Sequence, residues 1–292
     1  MSGFSADWLQ RREPFDTAAR DVGLARRFGA ALGRGQNEPR RIVDLAAGSG
    51  ANFRVLAPQL GGDQDWLLVD HDPALIAAQA ATISRWAAQA GWTCRDGDGG
   101  GLHINAGTAT WRVRAQALDL ARDLEQLPLA EYDGVTTTAF LDLVSAAWLD
   151  RLCTLLTRGG RPLLATLTVD GRRVWQPPMP ADARIQAAFQ GHQSGDKGFG
   201  LALGSEATAY LADRLAAQGH AVSTSRSDWR IVAAHREMLL QMLQEAAAVA
   251  HEADPAGSAL FTVWQAEREQ QIEAGVLALD IGHLDLLALP KR

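Results

Sequence analysis

Apolar residues recur along this chain in two rhythms whose alternation lays out its elements. Short, mostly apolar runs of strand length occur at 42–45, 66–69, 111–118, 132–138, 163–169, 221–225 and 282–289. Between them, 74–90, 145–156, 205–217, 233–250 and 259–274 carry the three-to-four-residue spacing of helices packed on one side. Pro73 opens the first of these and Gly91 stops it, while Ser205 suits an N-cap and Gly219 a stop for the helix at 205–217. Residues 6–32 have helical spacing interrupted near Pro14, which predicts two short helices. Alternating strands and helices predict an α/β sheet covered on both faces, seven-stranded and parallel through its first five strands.

Four stretches depart from this alternation. Residues 33–40 read as a polar connector, and 92–120 as a hairpin inserted before the third strand, with turns at 97–101 and 105–107. Residues 172–204 follow the fifth strand without simple periodicity and concentrate ligand-binding groups: Trp175, Arg184, Phe189, His192, Gln193, Asp196, Lys197 and Phe199. Placed at the carboxyl edge of an open sheet, such a segment is expected to form a substrate lid. The helical pair within 233–276, broken at Asp254-Pro255, suits either a cap on the site or a homodimer contact. The expected organisation is an N-terminal helical cap over 1–40 and one domain over 41–292.

Candidate chemistry centres on Ile42-Val43-Asp44-Leu45-Ala46-Ala47-Gly48-Ser49-Gly50-Ala51-Asn52. A buried strand ends on an acid and breaks into a small-residue turn opening a helix, where glycines let backbone approach a ligand. The next strand also ends on an acid, Asp70 in LLVDHD, suited to ribose hydroxyls. Phe53 occupies the third small position of a dinucleotide loop and is expected to hinder helix–strand packing there, which disfavours a nicotinamide cofactor. The run VDLAAGSGAN followed by LLVDHD resembles the first motif and acidic loop of class I S-adenosylmethionine-dependent methyltransferases, a Rossmann-like family. Ala46 replaces that motif's first glycine, a departure tolerated if its φ is negative. Downstream, LTRGGRPLL is similar to the family's turn into its fifth strand, with Arg158 in place of proline.

The resemblance implies S-adenosyl-L-methionine as cofactor, held by Asp44 at the methionine amino end, by Ala46, Gly48, Gly50 and Asn52 in the loop, by Asp70 and His71 at the ribose, by Asp119 and Leu120 at the adenine, and by Thr137 beside the sheet. It covers about residues 42–169 and leaves the acceptor open. Trp8, Arg12, Phe140, His192 and Lys197 are candidate acceptor contacts, and His192 is the candidate base as the histidine in a polar segment expected to face the ligand. The exit of the fourth strand lacks the NPPY-type sequence by which adenine and glutamine amino methyltransferases grip a planar amide or amine, so those substrates are disfavoured.

Composition narrows the classes further. A net charge of −6 gives no broad basic face, so nucleic acid is not an expected partner and a small molecule is. Cys94 and Cys153 lack metal-ligand spacing, so no metal is expected. No apolar run reaches membrane-spanning length, and a charged N-terminus fits a cytoplasmic protein. Two other readings stand beside methyl transfer: a non-catalytic S-adenosylmethionine-binding subunit, and a nicotinamide-dependent oxidoreductase, against which the missing Tyr-x-x-x-Lys pair weighs.

Overall fold

The computed structural model describes residues 5–33, 38–97 and 100–291, so the predicted 33–40 connector and the 97–101 turn lie partly outside the described residues. In chain order the elements are α1 (Ala6–Ala19), α2 (Val22–Ala31), β1 (Arg40–Leu45), α3 (Ala51–Leu60), β2 (Gln64–Asp70), α4 (Pro73–Gln89), β3 (Thr93–Asp96), β4 (Leu102–Ala106), β5 (Ala109–Ala117), α5 (Leu120–Asp123), β6 (Gly134–Thr138), α6 (Ala146–Gly159), β7 (Leu163–Gln176), α7 (Asp182–Gln193), α8 (Ala207–Ala217), β8 (His220–Arg226), β9 (Trp229–Ile231), α9 (Arg236–Ala253), α10 (Ser258–Glu273) and β10 (Ala278–Pro290). Local chemistry sets several of these ends. Asp21 accepts from the Leu24 amide to start α2, Asp72 accepts from Ala74 and Leu75 to start α4 with Pro73 in its first turn, and Gly160 closes α6 in the left-handed conformation.

The strand order is β3-β4-β5-β2-β1-β6-β7-β10-β8, with β9 pairing β10. Strands β5, β2, β1, β6 and β7 are mutually parallel, whereas β10 runs antiparallel to β7, β8 and β9. The sheet is therefore Rossmann-like, mostly parallel and α/β, but with ten strands among the described residues rather than seven. Hairpin β3–β4 joins the edge beside β5, and three-residue β9 carries too little pattern to read from sequence. The chain winds outward from β1 through β2 to β5, then restarts at β6 beside β1. Such a reversal opens a crevice at the carboxyl ends of the strands, where ligands bind in this architecture.

Two cores sandwich the sheet and a third lies under the helical insertion. Phe53, Trp66, Trp86 and Trp111 form edge-to-face and stacked contacts with ring centroids 5.3–6.1 Å apart, joined by Trp92. Phe53 thus fills the space between α3, β2, β5 and α4, and the expectation that it would hinder packing is corrected: the aromatic cluster is built around it. The opposite face packs α6 and α8 onto Val43, Leu45 and Val135. Helices α7, α9 and α10 share the third core with Trp175 and Trp229, against which Trp8 and Phe15 of α1 pack.

Other expectations need correction as well. Pro14 lies inside α1, and the helical break comes at Arg20, whose extended backbone (φ −61°, ψ 144°) separates α1 from α2. Ser205 does not cap α8; a short 3-10 turn, Gly204–Glu206, leads into it instead. Strand β7 continues to Gln176, so residues 172–176 belong to the sheet, and only the remainder of 172–204 forms α7 and the loop after it. Among the described residues no helix is long and apolar enough to cross a membrane.

Candidate functional site

Strand β1 delivers Asp44 and Leu45 to the carboxyl edge, and the chain then turns through Ala46 (φ 53°), Gly48 (φ 54°) and Gly50 (φ 80°) into α3. A Cβ at Gly50 would meet Ile83 Cδ1 at 3.1 Å and Leu68 Cδ1 at 3.3 Å, so glycine is required there on space as well as on φ. Ala46, expected at negative φ, is left-handed instead, a conformation that costs an L-residue roughly 1–2 kcal/mol. Ala139 (φ 49°), just past β6, and Leu167 (φ 58°), just past the pairing of β7 with β6, are the other described non-glycine residues at positive φ. All three lie at the carboxyl edge of adjacent strands. Backbone strain concentrated at one place in this way marks functional sites.

Asp70 clasps the loop from the end of β2. One carboxylate oxygen accepts the Gly48 amide at 2.7 Å, and the other accepts the amides of His71 (2.8 Å) and Asp72 (3.0 Å). Gln79 donates to the Gly48 carbonyl at 2.7 Å, so that glycine is held from both sides. Leu9 of α1 comes close enough that a Cβ on Gly48 would meet its Cδ1 at 3.3 Å, and α1 thereby forms a wall over the loop.

A buried polar chain runs from this loop across the strand ends. Asn52 donates to Asp44 Oδ1 at 2.7 Å and accepts from Arg20 Nη1 at 2.5 Å. Arg20 donates onward to Thr166 (3.1 Å) and Thr138 (3.0 Å), at the ends of the β7 and β6 pairing. Burial pushes the Asp44 carboxyl up to about 7, against the opposing pull of Asn52 and Arg20. Burial likewise lowers the Arg20 guanidinium, with Asp16, Asp285 and Asp44 opposing it. Two atoms in this chain, Arg20 Nε and Asp44 Oδ2, are buried without a hydrogen-bond partner among the described residues. One is a donor and the other an acceptor.

Arg20, just past the end of α1, follows Arg12 and Asp16 of that helix at four-residue spacing. Arg12 grips Asp16 through Nε (2.9 Å) and Nη2 (3.1 Å) and lies 5.0 Å from the Trp229 ring centroid, while Trp229 Nε1 donates to Asp16 at 3.0 Å. Buried His283 packs 5.2 Å from Trp229, and burial lowers its ring to about 4. Asp285 accepts the amides of Asp21 and Leu167, both at 2.8 Å, tying the α1–α2 elbow to the left-handed turn in β7. Asp142, beyond β6, is buried with Oδ1 unpartnered among the described residues; burial raises its carboxyl to about 6, opposed by its own amide, the Arg12 charge and the Val169 amide.

The structure brings Asp44, Ala46, Gly48, Gly50, Asn52 and Asp70 together as one cluster and adds Arg12 on α1. His71 is exposed, its Nδ1 3.6 Å from Asp70. Asp119 caps α5 through the Ala121 amide (3.0 Å) and pairs with Arg122 (2.8 Å), leaving its side chain 36% exposed. Leu120 is buried, with its carbonyl accepting from Trp148 Nε1 at 2.7 Å. Thr137 turns its hydroxyl to the Leu45 carbonyl at 2.8 Å, bracing β6 on β1. Phe140 packs edge-to-face on Trp148 and on Phe199 from the loop after α7, with centroids 5.3 and 5.2 Å away. Trp8 packs toward the third core. His192 is exposed, and Lys197 donates to the His192 carbonyl at 3.1 Å within its own loop.

Arg20, Asp142, His283 and Asp285 were missed. Their one available signal is a charged or polar residue at an element end or within an otherwise apolar strand, a pattern shared by many surface residues. A cavity of about 740 Å³ lined by Arg27, Asp133, Gly160, Arg161 and Pro162 opens at the amino ends of β6 and β7, the sheet edge opposite the loop. No group of three or more His, Cys, Asp or Glu placed to hold a metal occurs among the described residues.

No family model and no curated protein matches the chain. Among solved structures it is similar to the cyclopropane synthase MmaA2 of Mycobacterium tuberculosis, at 12% identity over 90% of this chain and 82% of that one, with a TM-score of 0.43. It is similar also to geranyl diphosphate C-methyltransferase of Streptomyces coelicolor, solved with S-adenosyl-L-homocysteine, at 11% identity over 92% and 77% of the two chains (TM-score 0.42). Phosphoethanolamine N-methyltransferase 2 of Haemonchus contortus, solved with S-adenosyl-L-methionine, matches at 13% identity over 99% and 58% (TM-score 0.46). Likeness this distant carries no weight for activity, which has to be read from the site's own residues.

Proposed function

We propose that the protein is an S-adenosylmethionine-dependent methyltransferase acting on a small-molecule acceptor. The observation that carries this reading is the orphaned pair Arg20 Nε and Asp44 Oδ2. A buried donor and a buried acceptor left open at one polar chain match the carboxylate and ammonium of an amino-acid group, and leaving both unfilled is costly. The Ala46–Gly50 turn next to them admits close backbone approach, and Asp70, fixed by three amides, retains one lone pair on Oδ2 for a ribose hydroxyl. Asp119 lies one parallel strand further out, at the end of β5, where the adenine is expected.

The bound cofactor supplies an electrophilic methyl on a sulfonium. The chain's part is to orient the two reactants and keep water out. On the acceptor side, Arg12 and Asp16 of α1 and the exit of β6 at Phe140 and Asp142 form the inner wall. The 172–204 segment contributes through Phe199, which reaches Phe140. His192 and Lys197 are not needed for this arrangement, and with His192 at the surface its role as base is replaced by a buried carboxylate.

Isothermal titration calorimetry with S-adenosylmethionine, S-adenosylhomocysteine and a nicotinamide dinucleotide tests the reading. Binding of the first two and none of the third is expected; tight dinucleotide binding without the others would overturn it.

A further inference from the structure

The cofactor-holding groups leave one buried acid of the crevice unexplained. Asp142 follows Phe140 and Leu141 beyond β6, is 9% exposed, and has Oδ1 without a hydrogen-bond partner among the described residues. The cation that acts on it is Arg12, and that guanidinium is already committed: it grips Asp16 with two hydrogen bonds and lies over Trp229. Asp142 is thus a buried carboxyl met by its own amide and that of Val169 but, among the described residues, by no uncommitted cation, and its open Oδ1 costs stability unless a ligand completes it. It lies directly past the strand that borders β1 at the sheet's reversal, where ligands gather in this architecture.

Resting on the cofactor reading above, we propose that Asp142 receives the positive charge that passes to an acceptor amine on methyl transfer. The amine's lone pair forms the new nitrogen–carbon bond as the sulfur–carbon bond breaks with its electrons going to sulfur. Sulfur thereby becomes neutral and nitrogen cationic, and the proton that a primary or secondary amine then sheds passes to the Asp142 carboxylate. Charge grows beside Asp142 only as the transfer proceeds. The carboxylate therefore stabilises the transition state more than the bound neutral amine, the condition for catalysis rather than mere binding.

Sinefungin, in which a carbon bearing a primary ammonium replaces the sulfonium and its methyl, places a fixed positive charge at the position of the transferring methyl, one bond from where the acceptor nitrogen would stand. Calorimetric titration of the full chain with sinefungin and with S-adenosylhomocysteine, for wild type, Asp142→Asn and Asp142→Ala, reads the effect without any acceptor. Wild type should prefer sinefungin by roughly tenfold or more, the worth of one charge-assisted contact. Both variants should bind S-adenosylhomocysteine within about threefold of wild type, which also reports that they fold, and should lose that preference. An undiminished preference in the variants overturns the proposal. Parallel weakening of both ligands overturns it too, because Asp142 would then be a structural carboxyl. If wild type binds neither ligand, the cofactor reading fails and the proposal falls with it.

Discussion

Arg20 and Asn52 meet at 2.5 Å across the head of the cofactor loop, joining the end of α1 to the first turn of α3. Through this contact the N-terminal helices are tied to Asp44 on one side and to Thr138 and Thr166 on the other. The cap and the sheet are therefore one unit at the site. Arg20→Met should remove donors from two buried acceptors and one partly buried one, and a cation that acts on Asp44, destabilising the fold by about 3 kcal/mol. Urea unfolding should show a lower midpoint with an unchanged slope, and S-adenosylmethionine affinity should fall by about tenfold or more.

Asp70→Ala takes the acceptor from the Gly48, His71 and Asp72 amides as well as from the ligand. Calorimetry should show an affinity loss on the order of 1–3 kcal/mol for S-adenosylmethionine. An unchanged affinity would make Asp70 a loop clasp alone.

The left-handed residues offer opposite outcomes within one turn. Ala46→Gly relieves roughly 1–2 kcal/mol of strain and gives back about 0.5–1 in unfolded-chain entropy, so thermal unfolding should show a small gain in stability. Gly50→Ala adds a methyl 3.1 Å from Ile83 at φ 80°, and should lower both stability, by about 1–3 kcal/mol, and cofactor affinity.

His283 makes the fold acid-sensitive. Its ring titrates near 4 when buried, against 6.5 as its ordinary value, because burial opposes the charge. The unfolded chain therefore takes up a proton before the folded chain does. The stabilisation is complete above 6.5 and is lost as pH falls through 4, in all about 3 kcal/mol. Asp44 and Asp142, raised to about 7 and about 6, act in the opposite sense: their burial costs little in acid and more as pH rises to those values. The wild-type slope is thus the difference of the two effects. Subtracting a His283→Gln denaturation series from the wild-type series between about pH 4 and 7 should isolate the histidine, with wild type losing its relative advantage toward acid.

How much of this was legible in the sequence follows from how local each feature is. Period and punctuation sufficed for β1, β2, α4 and the loop between Asp44 and Asn52, because a buried strand, a glycine turn and a proline-started helix are each written in consecutive residues. Strand β9 is only Trp229–Ile231, held by register with Leu279 to Ile281, and so had no pattern of its own. Arg20 looked like one more charge between two helices. Its partners lie 32, 118 and 146 positions away, and only the fold brings them together. The left-handed φ of Ala46 was invisible for a related reason. An alanine reads as helix or turn, and strain at such a position is imposed by what surrounds it. The 172–204 segment was placed by its polar side chains, but β7 runs on through residues 172–176, and His192 ends on the surface of α7.

A crystal structure of the protein soaked with S-adenosylhomocysteine tests the central claim most directly. Density for the amino-acid end should lie on Arg20 Nε and Asp44 Oδ2, the ribose on Asp70, and the sulfur toward Thr138 and the exit of β6. Ligand bound instead in the cavity of Arg27, Asp133 and Arg161 at the opposite sheet edge, with Arg20 and Asp44 unchanged, would contradict the account.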